Sequence, residues 1–262
     1  MELQELLALY DQEERVKAVW PDIVREETDL VVRHRPKNLG GPRDNIFIAY
    51  TRLDADNADR VIQEQIGYAR GLGLKVGWKL YSHDQPVDLD ARLLLHGFTA
   101  DEQESIMALE LDKAPAELLQ PVSADIRQIR DLESLRDVEA VECAVWDEDQ
   151  SHIIAYLTDS LRSDRGWMSI YVAYDGDLPV SAAWLYLEEG RPFASLWGGS
   201  TRAEYRKRGY YTALLAVRLQ EAIRRGARFL TIDASPMSRP IVQRFGFRQI
   251  TTACDYDWEP AQ

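Results

Sequence analysis

The sequence predicts an α/β chain of the α+β kind, built as two units, each a mixed central sheet flanked by helices. Three observations carry this. An apolar strand pattern from Phe193 to Thr201 loosens at a glycine pair and leads through a basic turn into Ala213 to Ile223. In that last segment apolar residues recur at i, i+3, i+4 and i+7, the helical period. A short apolar strand, Phe229 to Asp233, then a helix over Pro240 to Phe245 and the pair Gly246-Phe247 complete the run. The same order of strand, helix, strand, short helix, Gly-Phe and strand stands earlier, between Asn45 and Leu111.

Taken in order, Met1 to Val19 reads as an acidic amphipathic helix rather than a leader. Lys37 to Pro42 is a turn, and Asn45 to Tyr50 is a strand. Asp54 begins a helix reaching about Leu72, Leu74 to Tyr81 is a strand, and Asp88 to His96 is a short helix. Gly97-Phe98 then leads into a strand at Ser105 to Leu111. Gly73 to Gly97 spans 24 residues and Gly226 to Gly246 spans 20, so the two runs read as a diverged half-repeat. Two prolines interrupt the pattern between Lys113 and Val122, which places a first domain at 1–118 and a second at 124–262. In the second, Ile126 to Ile129 is a strand, with helices at Leu132 to Trp146 and Ser151 to Leu161. Strands Met168 to Tyr174 and Leu178 to Leu187 are joined by Asp175-Gly176-Asp177, a hairpin signal. Glu189 to Pro192 turns the chain, and Arg248 to Trp258 alternates as a closing strand.

Charge singles out one place in this order. The chain carries a net charge of −13, yet residues 201–248 hold eleven basic residues against three acidic ones. A concentrated positive patch on an acidic protein focuses the potential for a polyanion. Within it lies Arg206-Lys207-Arg208-Gly209-Tyr210-Tyr211-Thr212, at the start of the predicted helix. Unpaired N–H groups and the positive dipole end there suit a diphosphate. The equivalent turn of the first run, Thr51 to Asp59, holds no glycine and carries aspartates at 54, 56 and 59, so it would repel one.

With the strand and turn before it and the Gly-Phe after it, this stretch resembles the GNAT N-acetyltransferase superfamily. That family's acetyl-CoA motif, Gln/Arg-x-x-Gly-x-Gly/Ala, is matched by Arg206, Gly209 and Tyr211, with tyrosine in the last slot. The segment from Ala234 to Phe247 looks like its second motif, a helix ending in Leu-Gly-Phe. The resemblance covers roughly 124–260 and implies a tandem protein whose N-terminal unit is degenerate. It implies acetyl-CoA as cosubstrate, without a metal, held by Gly199, Ser200, Thr201, the turn from Arg206 to Thr212, Ser235 and Ser238. The implied reaction is direct transfer of an acetyl group to an amine of a small molecule or peptide. An alkylammonium of pKa ~10 must first lose a proton. The oxyanion needs a positioned donor, in this family a backbone N–H of the splayed strand, here around Gly198 to Ser200. The thiolate, of pKa ~8.5, leaves more easily beside an acid.

The family's frequent glutamate falls near Ser195, and its frequent tyrosine four residues before Gly246 is Val242. Candidate carboxylates are therefore Glu142, Asp147, Glu148, Asp149 and Glu188, with Glu142 and Asp147 preferred as catalytic residues at the helix end bordering the acceptor side. Candidate acids are Tyr186, Tyr205 and Tyr256, the last preferred. The missing pair keeps open a non-catalytic sensor or interaction module that binds acyl-CoA, and tandem forms also transfer longer acyl or aminoacyl groups. His83 suits a turn, and His152 a substrate contact or a solvated helix start. Trp146, Trp167, Trp184 and Trp197 suit core or groove wall. Cys143 and Cys254 form neither a disulfide framework nor a metal cluster, and no apolar run is long enough to span a bilayer, so cytoplasmic residence is expected. Net acidity disfavours nucleic-acid and anionic-membrane partners. The pattern leaves monomer and homodimer equally open.

Overall fold

In a computed structural model, residues 1–20, 23–40, 43–163 and 166–260 are described. They form two compact units. The first holds residues 1–106, 234–239 and 249–262, and the second holds 107–233 and 240–248.

The first unit opens with helix α1 (Leu3–Tyr10) and a wide helical turn, Asp11–Val16, so the predicted N-terminal helix comes in two pieces. The break lets Arg15, 2% exposed, turn inward. There it binds Asp84 through both carboxylate oxygens at 2.7 and 2.9 Å, and Asp11 at 2.8 Å. Strands β1 (Ile23–Glu27), β2 (Val31–Pro36) and β3 (Asn45–Thr51) are antiparallel neighbours. The first two were missed because charged residues break their apolar alternation. The turn predicted at 37–42 lies in part outside the described residues. Helix α2 (Ala58–Leu72) crosses from β3 to the parallel β4 (Lys75–Tyr81), and α3 (Leu89–Leu95) and the short β5 (Thr99–Ala100) follow. Ile46, Ile48, Val76 and Trp78 of the sheet pack with Val61, Ile62 and Leu93 of the helices in one core. Strand β6 (Glu104–Glu110) carries the chain from the first unit into the second.

The second unit contains β7 (Asp125–Ile129), α4 (Leu135–Trp146), α5 (Ser151–Arg162), β8 (Met168–Asp175), β9 (Leu178–Tyr186), β10 (Phe193–Thr201), α6 (Tyr210–Arg224) and β11 (Phe229–Ala234). β7 to β10 pair antiparallel in sequence order, and α6 returns the chain to β11, parallel to β10. Alternation along β8 sends Ile170, Val172 and Tyr174 toward α4 and α5. Tyr171 and Ala173 turn instead toward α6. The sheet is therefore covered by helix on both faces.

The chain closes with α7 (Arg239–Arg244) and β12 (Arg248–Trp258). β12 is the strand read in sequence as closing the C-terminal unit. It pairs antiparallel with β4, Tyr256 opposite Trp78 and Trp258 opposite Val76, and seals the first unit's core.

Candidate active site

β10 and β11 are hydrogen-bonded from Phe193–Phe229 to Leu196–Ile232, and β10 then runs on to Thr201 paired with β9 only. Its pairing with β9 also slips between Gly198 and Ser200. Gly198 (φ 67°) and Gly199 (φ 97°) are both left-handed, so side-chain-bearing residues would be strained there. A Cβ on Gly198 would stand 2.6 Å from the Trp184 ring, and one on Gly199 3.1 Å from the Tyr211 ring. The glycine pair thus makes a bulge in a strand that has parted from its neighbour.

Three carbonyls of this bulge are held by side chains of the same unit. Ser181 Oγ donates to Ser200 O at 2.7 Å, and Arg206 Nε to Thr201 O at 3.1 Å. Arg218, from α6 and 1% exposed, donates one guanidinium nitrogen to Trp197 O at 3.1 Å and to Trp184 O at 3.2 Å. Its Nε binds Leu214 O at 3.1 Å. Burial draws the Arg218 pKa down to about 10, because the guanidinium loses its bulk solvation. Sequence reading missed this residue. The signal was a lone arginine on the stripe of α6 that packs on the sheet, with Leu214, Leu215, Leu219 and Ala222.

Beyond the bulge, Lys207 (φ 62°) and Gly209 (φ 88°) take left-handed turns, and Gly209 caps α6 with no side chain on its first amides. The first intrahelical bond runs from Ala213 N to Gly209 O, so the amides of Tyr210, Tyr211 and Thr212 lie in the orphan turn. Arg206, Lys207 and Arg208 are exposed around it, with Arg208 over the Tyr205 ring at 4.8 Å. This end of the helix can hold an anion.

On the sheet's other face, Glu142 continues the apolar stripe Leu135, Val138 of α4 and is 1% exposed. Its Oε2 accepts from Ser200 Oγ at 2.8 Å and from Trp146 Nε1 at 3.0 Å, while Oε1 is buried with no partner among the described residues. Burial raises its pKa, and the two donors only partly offset that. The structure therefore brings together Glu142, predicted as a base, and Ser200, predicted as a cofactor contact. A carboxylate on an apolar helix stripe was the readable sign.

Residues 126–247 match the profile of the acetyltransferase (GNAT) family. This segment belongs to the GNAT acetyltransferases. A GCN5-related N-acetyltransferase from Kribbella flavida superposes on the chain with TM-score 0.66 at 14% identity, covering 98% of this chain and 95% of that one. A conserved protein of unknown function from Staphylococcus epidermidis gives 0.70 at 14%, over 94% and 97%. A tandem GNAT protein from the clavulanic acid biosynthesis pathway gives 0.59 at 14%, over 99% and 96%. No curated protein matches the sequence. The whole chain thus has the fold of tandem GNAT proteins, with the GNAT segment carrying the bulge, the α6 turn and Glu142.

The other predicted site residues fall elsewhere. β12 places the Tyr256 ring, 7% exposed, in the core of the first unit, where burial pushes its pKa up to about 12. Ser235 and Ser238 bond to each other at 3.3 Å in the turn that starts α7, and both lie in residues 234–239, grouped with the first unit. Asp147 (φ 55°) ends α4 as an exposed left-handed cap. Glu148 is exposed, and Asp149 caps α5 through Ser151. Glu188 binds Arg191 at 3.1 Å. Tyr186 is buried and Tyr205 half-buried against Tyr210. Ser195 accepts from Trp197 Nε1 at 2.9 Å, and Val242 is buried. Trp184 is core, Trp167 is half-buried, and Trp146 and Trp197 are 57% and 42% exposed. His152 is exposed at the start of α5, while His83 is fixed by Asp11 and Thr251.

Proposed function

We propose that the GNAT segment transfers an acetyl group from acetyl-CoA to an amine of a small molecule or peptide, and that residues 1–118 form a degenerate unit without a CoA site of its own. The observation that carries this reading is Glu142, a buried carboxylate of raised pKa hydrogen-bonded to the strand bulge. Exposed basic side chains, an uncapped helix start and two left-handed residues at 207 and 209 fit a diphosphate. Acetyl-CoA, once bound, supplies an acyl group activated as a thioester.

This chain's residues meet two needs of the reaction. The backbone at Gly198 to Ser200, parted from β11, offers N–H donors for the oxyanion. Glu142 is the base: with its pKa raised by burial, its carboxylate takes up a proton more readily than an exposed glutamate does. Net acidity disfavours a nucleic-acid partner.

A second reading, binding of acyl-CoA without turnover, is favoured by one observation. Val242, where the family often has tyrosine, is buried and cannot donate a proton. Release of CoA thiol from acetyl-CoA in the presence of an amine panel decides between them. Amine-dependent release that Glu142→Gln abolishes supports the enzyme. Calorimetric binding of acetyl-CoA with no release for any amine supports the sensor.

A further inference from the structure

We propose that Ser200 is the proton relay between the acceptor amine and Glu142, an inference that rests on the acyltransferase reading. Glu142 is 1% exposed, and its Oε1 is shut off from solvent. An acceptor amine therefore cannot touch the carboxylate as it stands. Among the described residues, Oε2 has two hydrogen-bonded neighbours, Trp146 Nε1 at 3.0 Å and Ser200 Oγ at 2.8 Å. An indole N–H only donates, whereas a hydroxyl both donates and accepts. Of the two, only Ser200 can take a proton on one side and pass another on.

The position of Ser200 suits this. It follows the glycine pair on the part of β10 that has left β11, so its backbone belongs to the bulge while its side chain reaches α4. Ser181 holds the Ser200 carbonyl, and the Trp146 indole donates to its Oγ at 3.3 Å, which orients the hydroxyl proton toward Glu142. The Trp146 ring, 57% exposed, marks where this buried pair meets solvent.

The transfer balances without any further reagent. An N–H bond of the ammonium breaks as an O–H bond forms on Ser200 Oγ. The original Ser200 O–H bond breaks as one forms on Glu142 Oε2. The products are a neutral amine, an unchanged serine and a carboxylic acid, which later returns its proton to the departing thiolate or to water.

Three variants of the full chain test the relay. Ser200→Ala should lower kcat on the order of 10²-fold, the scale of a lost general base. Its kcat/KM should climb with pH toward the acceptor's own pKa, where the wild type levels off. Ser200→Thr keeps a hydroxyl and should restore both rate and plateau. In the protein without substrate, the infrared carboxyl band absent from Glu142→Gln should titrate at higher pH in Ser200→Ala, because a donor to the carboxylate is gone. Wild-type rate and pH profile in Ser200→Ala, failure of Ser200→Thr to restore them, or an unmoved carboxyl band would each overturn the relay and leave the transferase standing. Absence of amine-dependent thiol release from the wild type would overturn both.

Discussion

The chain makes the same crossover twice, β3–α2–β4 in the first unit and β10–α6–β11 in the second, and finishes the two helix starts in opposite ways. Before α2, Asp54 Oδ1 accepts the amides of Asp56 and Asn57, both at 3.0 Å, which closes an acidic turn ahead of the helix. Asp59, in the first turn, binds His96 at 3.0 Å and Arg92, and the His96 hydrogen bond, then the charge of Arg92, hold it below the usual carboxylate range. Before α6, the cap is Gly209, with no side chain on the amides and three exposed basic residues around them. One helix start carries its own anion and the other awaits one. Topology is shared; the chemistry is decided by the few residues between strand and helix.

The largest test of this contrast is catalytic. Glu142→Gln keeps the shape of the second unit and should lower kcat on the order of 10²-fold or more, read as thiol release with a saturating amine. An unchanged rate would remove the base and with it the functional difference between the crossovers.

Acid should separate the units in opposite directions. His34, 2% exposed and stacked on Phe47, has a pKa lowered to about 4, mainly by burial. A group with a depressed folded pKa stabilises the neutral state, so the first unit should lose stability as pH falls from 6.5 toward 4, by on the order of 3 kcal/mol. Glu142 has a raised pKa, so its burial weakens the second unit as pH rises above the ordinary carboxyl range and relaxes again in acid. Hydrogen exchange at pH 5 and pH 7.5 should show protection falling over β2 and β3 and holding over α4. A uniform change would break the contrast.

Ligand binding should then be single. Calorimetry should give one CoA per chain, and Arg206→Ala should weaken it by about 1–3 kcal/mol, the scale of a charge-assisted hydrogen bond. Two equivalent sites would show that the aspartates before α2 do not exclude a diphosphate. The smallest effect is local. Asp54→Ala should cost about 1 kcal/mol, the size of a lost hydrogen bond in the turn before α2, seen as a lower Tm with CoA affinity unchanged.

The helices and strands that bury one apolar face were legible: α2, α6, β8, β9 and β10 lie close to where periodicity placed them. Less legible was whatever depends on partners far along the chain. The strand at 248–258 alternates visibly, but nothing local says that it pairs with β4 and sets Tyr256 in the first unit's core. β1 and β2 were missed because Arg25, Arg33 and Arg35 interrupt the apolar pattern and are held by Glu26 and Glu27. In the site, the basic turn and Gly209 were readable from composition. The Glu142–Ser200 bond joins residues 58 apart in sequence, and no spacing rule reports it.

Arg218 and Arg206 bracket the Gly198–Ser200 bulge from its two ends, one on the Trp197 carbonyl and one on the Thr201 carbonyl. One guanidinium stands on the turn just before α6 and the other within the helix. The bulge is thus clamped to a template and held open before any ligand arrives. Stiffness in this part of the molecule therefore comes from two guanidiniums, one on the turn before α6 and one on the helix itself, each holding a carbonyl at one end of the glycine pair.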